Sequence, residues 1–134
     1  WERRKKLKPE YQHLSGEEIR DVRLSGVEVS AEIRIPKIAY MGDTAPGGLD
    51  VFPDVYRAEV LIMEMTFVAP GERPERIHKY GHTHLDDFIA RADMFENELI
   101  IASHFSTRMH SDQIQRIIEK RLPERLRSRL KIWL

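Results

Sequence analysis

Between positions 27 and 35 every odd residue is apolar (Val27, Val29, Ala31, Ile33, Ile35) and every even one is polar (Glu28, Ser30, Glu32, Arg34). A period of two predicts a strand with one buried face. Pro36 interrupts it, and 37–41 reads as a second strand, antiparallel to the first if the turn is tight. Denser apolar runs at 59–65 and 98–102 predict buried strands, and a shorter one at 130–133 predicts a last strand. The period changes at 84–95, where Leu85, Phe88, Ile89, Ala92 and Phe95 fall at helical spacing, with Asp86, Asp87, Arg91 and Asp93 on the other side. A second helix is predicted over 111–121, with Ser111 as its cap and Ile114, Ile117 and Ile118 turned inward.

Shorter signals fill the gaps. Ser15-Gly16-Glu17-Glu18 has capping-box spacing, which predicts a helix to about Leu24 ended by Gly26. The stretch 45–53 holds two glycines and two prolines and reads as an irregular loop; a short helix fits 54–58, and 68–74 reads as another loop. Residues 1–14 are basic without a clear apolar period, which predicts an exposed arm on a single domain spanning 1–134.

Composition narrows the class of protein. With 41% hydrophobic and 33% charged residues the chain fits one soluble α/β domain, and it has neither an apolar run long enough for a membrane span nor a signal-peptide pattern. Lack of cysteine excludes thiolate chemistry and fits a reducing, cytoplasmic compartment. Any metal must therefore sit on His, Asp or Glu. Formal net charge is zero, yet Arg3, Arg4, Lys5, Lys6 and Lys8 cluster at the front and seven further basic residues lie between Arg116 and Lys131. Such asymmetry permits binding of a polyanion, although charge runs are most often solvated faces. The chain starts at Trp1 rather than Met, which predicts a fragment or a processed product.

Four chemistry-bearing residues sit in short boxes: Gly42-Asp43-Thr44, Met63-Glu64-Met65-Thr66-Phe67, Gly81-His82-Thr83 and His104-Phe105-Ser106-Thr107-Arg108. Carboxylate and imidazole are the donors zinc takes where cysteine is absent. Each box alone is weak, since a Gly-Asp-Thr is more often a turn and a lone histidine more often a surface residue. Their order is far more specific. From about Lys6 to Ile118 it resembles the C-terminal half of ribonuclease Z, the tRNA 3′-processing endonuclease of the metallo-β-lactamase superfamily, in its short form.

The resemblance implies an α/β fold, one half of an αββα sandwich with a mixed sheet flanked by helices. It implies two zinc ions, supplying Lewis acidity and the nucleophile, with Asp43 bridging them and His104 binding one. His82, held and kept protonated by Glu64, would protonate the leaving oxygen. Arg108 would grip a phosphate oxygen, and Arg3, Arg4, Lys5, Lys6 and Lys8 would contact the tRNA precursor. Two departures stand out: the Glu64 box carries Met63 and Met65 where the family has histidine and alanine, and the family's main His-x-His-x-Asp-His ligand motif is absent before Asp43. His82-Thr83-His84-Leu85-Asp86-Asp87 imitates that motif but stands after Gly-Asp-Thr, so His84 is expected to point away from the site. An uncovered sheet face is expected to pair with a missing N-terminal half or with a second copy in a homodimer. Two readings compete: a hydrolase of the same fold acting on another ester or phosphodiester, and a catalytically silent association module.

Overall fold

The computed structural model describes residues 1–134 as two compact units, Trp1–Ile35 and Pro36–Leu134. In the first, strand β1 (Glu2–Leu7) pairs antiparallel with β2 (Ser30–Ile35), from Glu2 opposite Ile35 to Leu7 opposite Ser30. The basic segment is therefore a strand, continued by a 3-10 turn at Pro9–Tyr11. Helix α1 (Gly16–Leu24) starts at the expected capping box: the Glu18 amide donates to Ser15 Oγ, and the Ser15 amide donates to Glu18 Oε2 at 2.7 Å. Gly26 follows it at φ 90°. The alternation at 27–35 is only partly expressed, because Val29 is buried while Val27 and Ala31 are exposed. The partner strand explains this: its sequence, ERRKKL, offers almost no apolar surface to pack against.

The second unit holds a four-stranded sheet: β3 (Ile38–Met41), β4 (Val60–Glu64), β5 (Leu99–Ser103) and β6 (Leu130–Ile132), hydrogen-bonded in that order and all parallel. Antiparallel pairing is thus confined to the first unit. The expected hairpin across Pro36 does not form; the Pro36 and Lys37 carbonyls accept from the Glu59 and Val60 amides, which starts β3 alongside β4 instead.

Each crossover is helical. Helices α2 (Gly47–Val51) and α3 (Asp54–Arg57) lead to β4, α4 (Pro74–Lys79) and α5 (Leu85–Ala90) to β5, and α6 (Ser111–Arg121) and α7 (Glu124–Arg127) to β6. Helix α2 replaces the loop expected at 45–53, and α5 stops five residues short of the periodicity. Beyond Ala90 the chain continues in turns that still bury Ala92 and Phe95, and Asn97 then anchors it by donating to the Val55 and Ala58 carbonyls at 2.8 and 2.6 Å. The cap of α6 is His110, whose Nδ1 accepts the Asp112 amide, rather than Ser111.

One sheet face is the core. Leu61, Met63, Ile100 and Ala102 have no exposed surface and pack with Leu49, Phe88, Phe95, Ile114, Ile118 and Leu126. Sequential parallel strands joined by right-handed crossovers keep the connecting helices on one side. The opposite face carries Ile38, Val60 and Leu99 in one row and Tyr40, Ile62 and Ile101 in the next. Ile38 and Tyr40 are 66% and 75% exposed. No helix is long and apolar enough to cross a membrane.

Candidate metal centre

Parallel strands bring their carboxyl ends to one edge, where α/β folds gather binding groups. Asp43 lies two residues beyond β3, Glu64 ends β4 and His104 follows β5 directly. His82 arrives differently, from the end of a helix. Helix α4 ends in a Schellman turn, with the Gly81 amide donating to the His78 carbonyl and the His82 amide to the Ile77 carbonyl. Gly81 occupies the left-handed position at φ 75°, where a side chain would be strained.

Backbone bonds join the loops. The Met65 amide donates to the Ser103 carbonyl at 2.8 Å and the Ser106 amide to Thr66 at 2.9 Å, so the end of β4 lies against the end of β5. The Leu85 amide donates to the Phe67 carbonyl at 2.9 Å, which draws the His82 segment to the same place.

The result is a compact group. Asp43, His82 and His104 each offer a donor atom, and these atoms lie within 4.8 Å of one another. His104 Nδ1 is 3.3 Å from Asp43 Oδ1, and the His82 and His104 rings stack with centroids 5.7 Å apart. His104 has φ 58°, a left-handed conformation costing a non-glycine residue roughly 1–2 kcal/mol. Behind the rings, Glu64 is almost fully buried; its Oε2 accepts the Thr66 amide at 2.8 Å and the Thr66 hydroxyl at 2.6 Å. Its Oε1 has no hydrogen-bond partner and lies 3.8 Å from His82 Nδ1. No arginine or lysine pairs with this carboxylate; the basic group beside it is the His82 imidazole. Such a set can hold a divalent cation and exchange a proton at its edge.

His84 lies outside the group. It caps α5, with Nδ1 accepting the Asp86 amide at 3.0 Å and Nε2 donating to the Ala69 carbonyl at 2.9 Å, so both ring nitrogens are occupied. Asp87 completes that cap and also pairs with His78 at 2.9 Å.

Arg108 is exposed and lines a shallow cavity with Thr66, Phe67, Ser106 and Met109. Arg3 and Lys5 pair across the ribbon with Glu32 and Glu28 at 3.4 and 3.9 Å, and Arg4 pairs with Glu2. Those basic residues, with Lys6 and Lys8, belong to the first unit. Sequence reasoning assigned no role to Thr66 or Thr83, although both stand inside the quoted boxes; residue type does not reveal where a hydroxyl points.

Over 93% of its length the chain is 37% identical to tRNase Z TRZ1 of Arabidopsis thaliana. The chain is a homologue of part of ribonuclease Z. It is also 37% identical over 87% of its length to the chloroplastic tRNase Z TRZ2 of the same plant, and 32% identical over 60% to the ribonuclease Z of Pyrobaculum islandicum. It spans 45%, 34% and 27% of these three proteins, so the homology to ribonuclease Z covers less than half of each. No family model matches the chain.

Proposed function

We propose that the full-length protein is a cytoplasmic, zinc-dependent endoribonuclease of the ribonuclease Z kind, hydrolysing a phosphodiester bond at the 3′ side of tRNA precursors. The observation carrying this reading is that Asp43, His82 and His104, taken from three separate boxes in ribonuclease Z order, have donor atoms within 4.8 Å. The donor set fits zinc, being carboxylate and imidazole. Asp43 and His104 would hold the metal, and an N-terminal half would contribute the remaining ligands.

Two zinc ions, when bound, supply Lewis acidity and the nucleophile. His82 gives a proton to the leaving oxygen, with the buried Glu64 carboxylate behind it, Oε1 lying 3.8 Å from His82 Nδ1. Arg108 holds a phosphate oxygen, and Arg3, Arg4, Lys5, Lys6 and Lys8 grip the RNA backbone without reading bases, which makes binding salt-dependent.

The reading extends to the fold: the chain is the C-terminal half of a metallo-β-lactamase sandwich, and its partner is the other half. Support comes from the apolar rows of Ile38, Val60 and Leu99 and of Tyr40, Ile62 and Ile101 on the face opposite the core. The test is cleavage of unprocessed tRNA by the full-length protein beside simple phosphodiester and thioester substrates. Chelation should abolish cleavage and added zinc restore it. Turnover of the small substrates with no cleavage of the tRNA precursor would replace this reading with the broader hydrolase.

A further inference from the structure

A hydroxyl has one hydrogen to give and two lone pairs to offer, and Thr66 Oγ1 has three polar neighbours. They are Glu64 Oε2 at 2.6 Å, His82 Nδ1 at 3.2 Å and His104 Nδ1 at 3.2 Å. An ionised carboxylate only accepts, so the hydroxyl hydrogen goes to Glu64; the 2.6 Å separation is that of a charge-assisted bond. Both lone pairs then face imidazole nitrogens. Each Nδ1 must bring its own hydrogen.

The remaining neighbours make the same demand. The second group beside His104 Nδ1 is Asp43 Oδ1 at 3.3 Å, and beside His82 Nδ1 it is the unpartnered Glu64 Oε1 at 3.8 Å. Both are carboxylate oxygens. Once Thr66 has donated to Glu64, none of these protein groups beside either Nδ1 has a hydrogen to give. Thr66 is only 9% exposed, so water does not readily take over this arrangement.

We propose that Thr66 is a positioning residue whose hydroxyl fixes His82 and His104 together in the Nδ1–H tautomer, leaving Nε2 of each ring for chemistry. For His104 that atom carries the lone pair a metal needs; for His82 it is where a proton is exchanged with substrate. This catalytic use rests on the hydrolase reading above, whereas the tautomers themselves do not. One small side chain thus orients a metal-binding ring and a proton-donating ring from a single buried carboxylate.

The test is nitrogen-15 NMR of the imidazole rings in the metal-free full-length protein at alkaline pH, where imidazole is neutral. H82Q and H104Q variants assign the signals. Wild type and T66S should show Nδ1–H for both rings, while in T66V both rings lose that preference. With metal restored, T66V should lower kcat on a tRNA precursor about 10–100-fold with little change in KM, and T66S should recover most of it. An Nε2–H tautomer at either ring in wild type would overturn the proposal, as would T66V with unchanged tautomers and unchanged kcat. Should T66V not fold, the wild-type spectrum still decides. Nδ1–H rings in a protein that cleaves no RNA would sink the hydrolase reading and leave the tautomer assignment standing.

Discussion

The Thr83 hydroxyl donates to the Thr44 carbonyl at 2.7 Å, joining the residue beside His82 to the residue beside Asp43. Thr83 has no exposed surface, so no water substitutes for this bond. T83V keeps the shape and strands the Thr44 carbonyl, at a cost of about 1–3 kcal/mol. Zinc affinity of the full-length protein should fall about 10-fold, because the loop that carries the proposed ligand Asp43 loses its anchor. Zinc titration and denaturant unfolding check it, with T83S as the control. Lost stability with unchanged affinity would show that another contact holds the Asp43 loop.

Gly81 allows a clean test of how His82 is delivered. An added Cβ there would meet nothing within 4 Å, so any effect of G81A is conformational rather than steric. At φ 75° the alanine should cost roughly 1–2 kcal/mol, and the Schellman turn that presents His82 should loosen. The expected signature is a modest drop in unfolding free energy with a larger loss of cleavage rate. Equal stability in the two proteins would mean that the turn tolerates another conformation.

Asp50, Tyr56 and Arg91 tie α2, α3 and the end of α5 together: Arg91 donates to Asp50 Oδ2 at 2.7 Å and the Tyr56 hydroxyl to Oδ1 at 3.0 Å. Burial, followed by its bond to Asp50, pushes the Tyr56 phenol up to about 12. The neutral phenol is the form the fold favours, so its contribution is complete below the ordinary phenol value and lost as pH climbs through about 12. Of the four tyrosines, one should ionise last in an ultraviolet titration, and Y56F should remove that late step. Asp50 has the opposite sign: the Arg91 guanidinium holds its carboxyl below the usual aspartate value. Its contribution is present above that usual value and fades as pH falls through the lowered one, so D50N should flatten the acid side of the stability profile.

What the sequence made legible were features generated locally. The Ser15–Glu18 box, the apolar runs that became β4 and β5, and the separation of His84 from the candidate centre follow from spacing and order. Partners over distance were not legible. Nothing local at 37–41 distinguishes a hairpin with β2 from a parallel edge beside β4; the Pro36 and Lys37 carbonyls decide it by bonding to Glu59 and Val60. The early end of α5 depends on Asn97 reaching the Val55 and Ala58 carbonyls, some forty residues away. In the centre itself the histidines and carboxylates were visible by type, whereas Thr66 became meaningful only once two rings and a carboxylate stood around one oxygen.

The last prediction concerns the uncovered sheet face. Strands of a parallel sheet are ordinarily covered on both sides, and β3, β4 and β5 are apolar on both, with Lys131 of β6 at one end of the outer row. Ile62 sits at the middle of the outer face, between Tyr40 and Ile101 in register. If the other half of the protein covers this face, I62K places a charge in a dry interface while leaving the core side of β4 untouched. The full-length variant should unfold several kcal/mol more easily, since a buried unpaired ammonium is among the costliest substitutions. In ultracentrifugation the 134-residue chain alone should self-associate, and the same substitution should make it monomeric. Adding the separately produced N-terminal half should displace the self-association in wild type and fail to do so in I62K. A full-length protein indifferent to I62K would show that this face stays open to water, and a wild-type dimer that the added half leaves intact would identify a second copy as its cover.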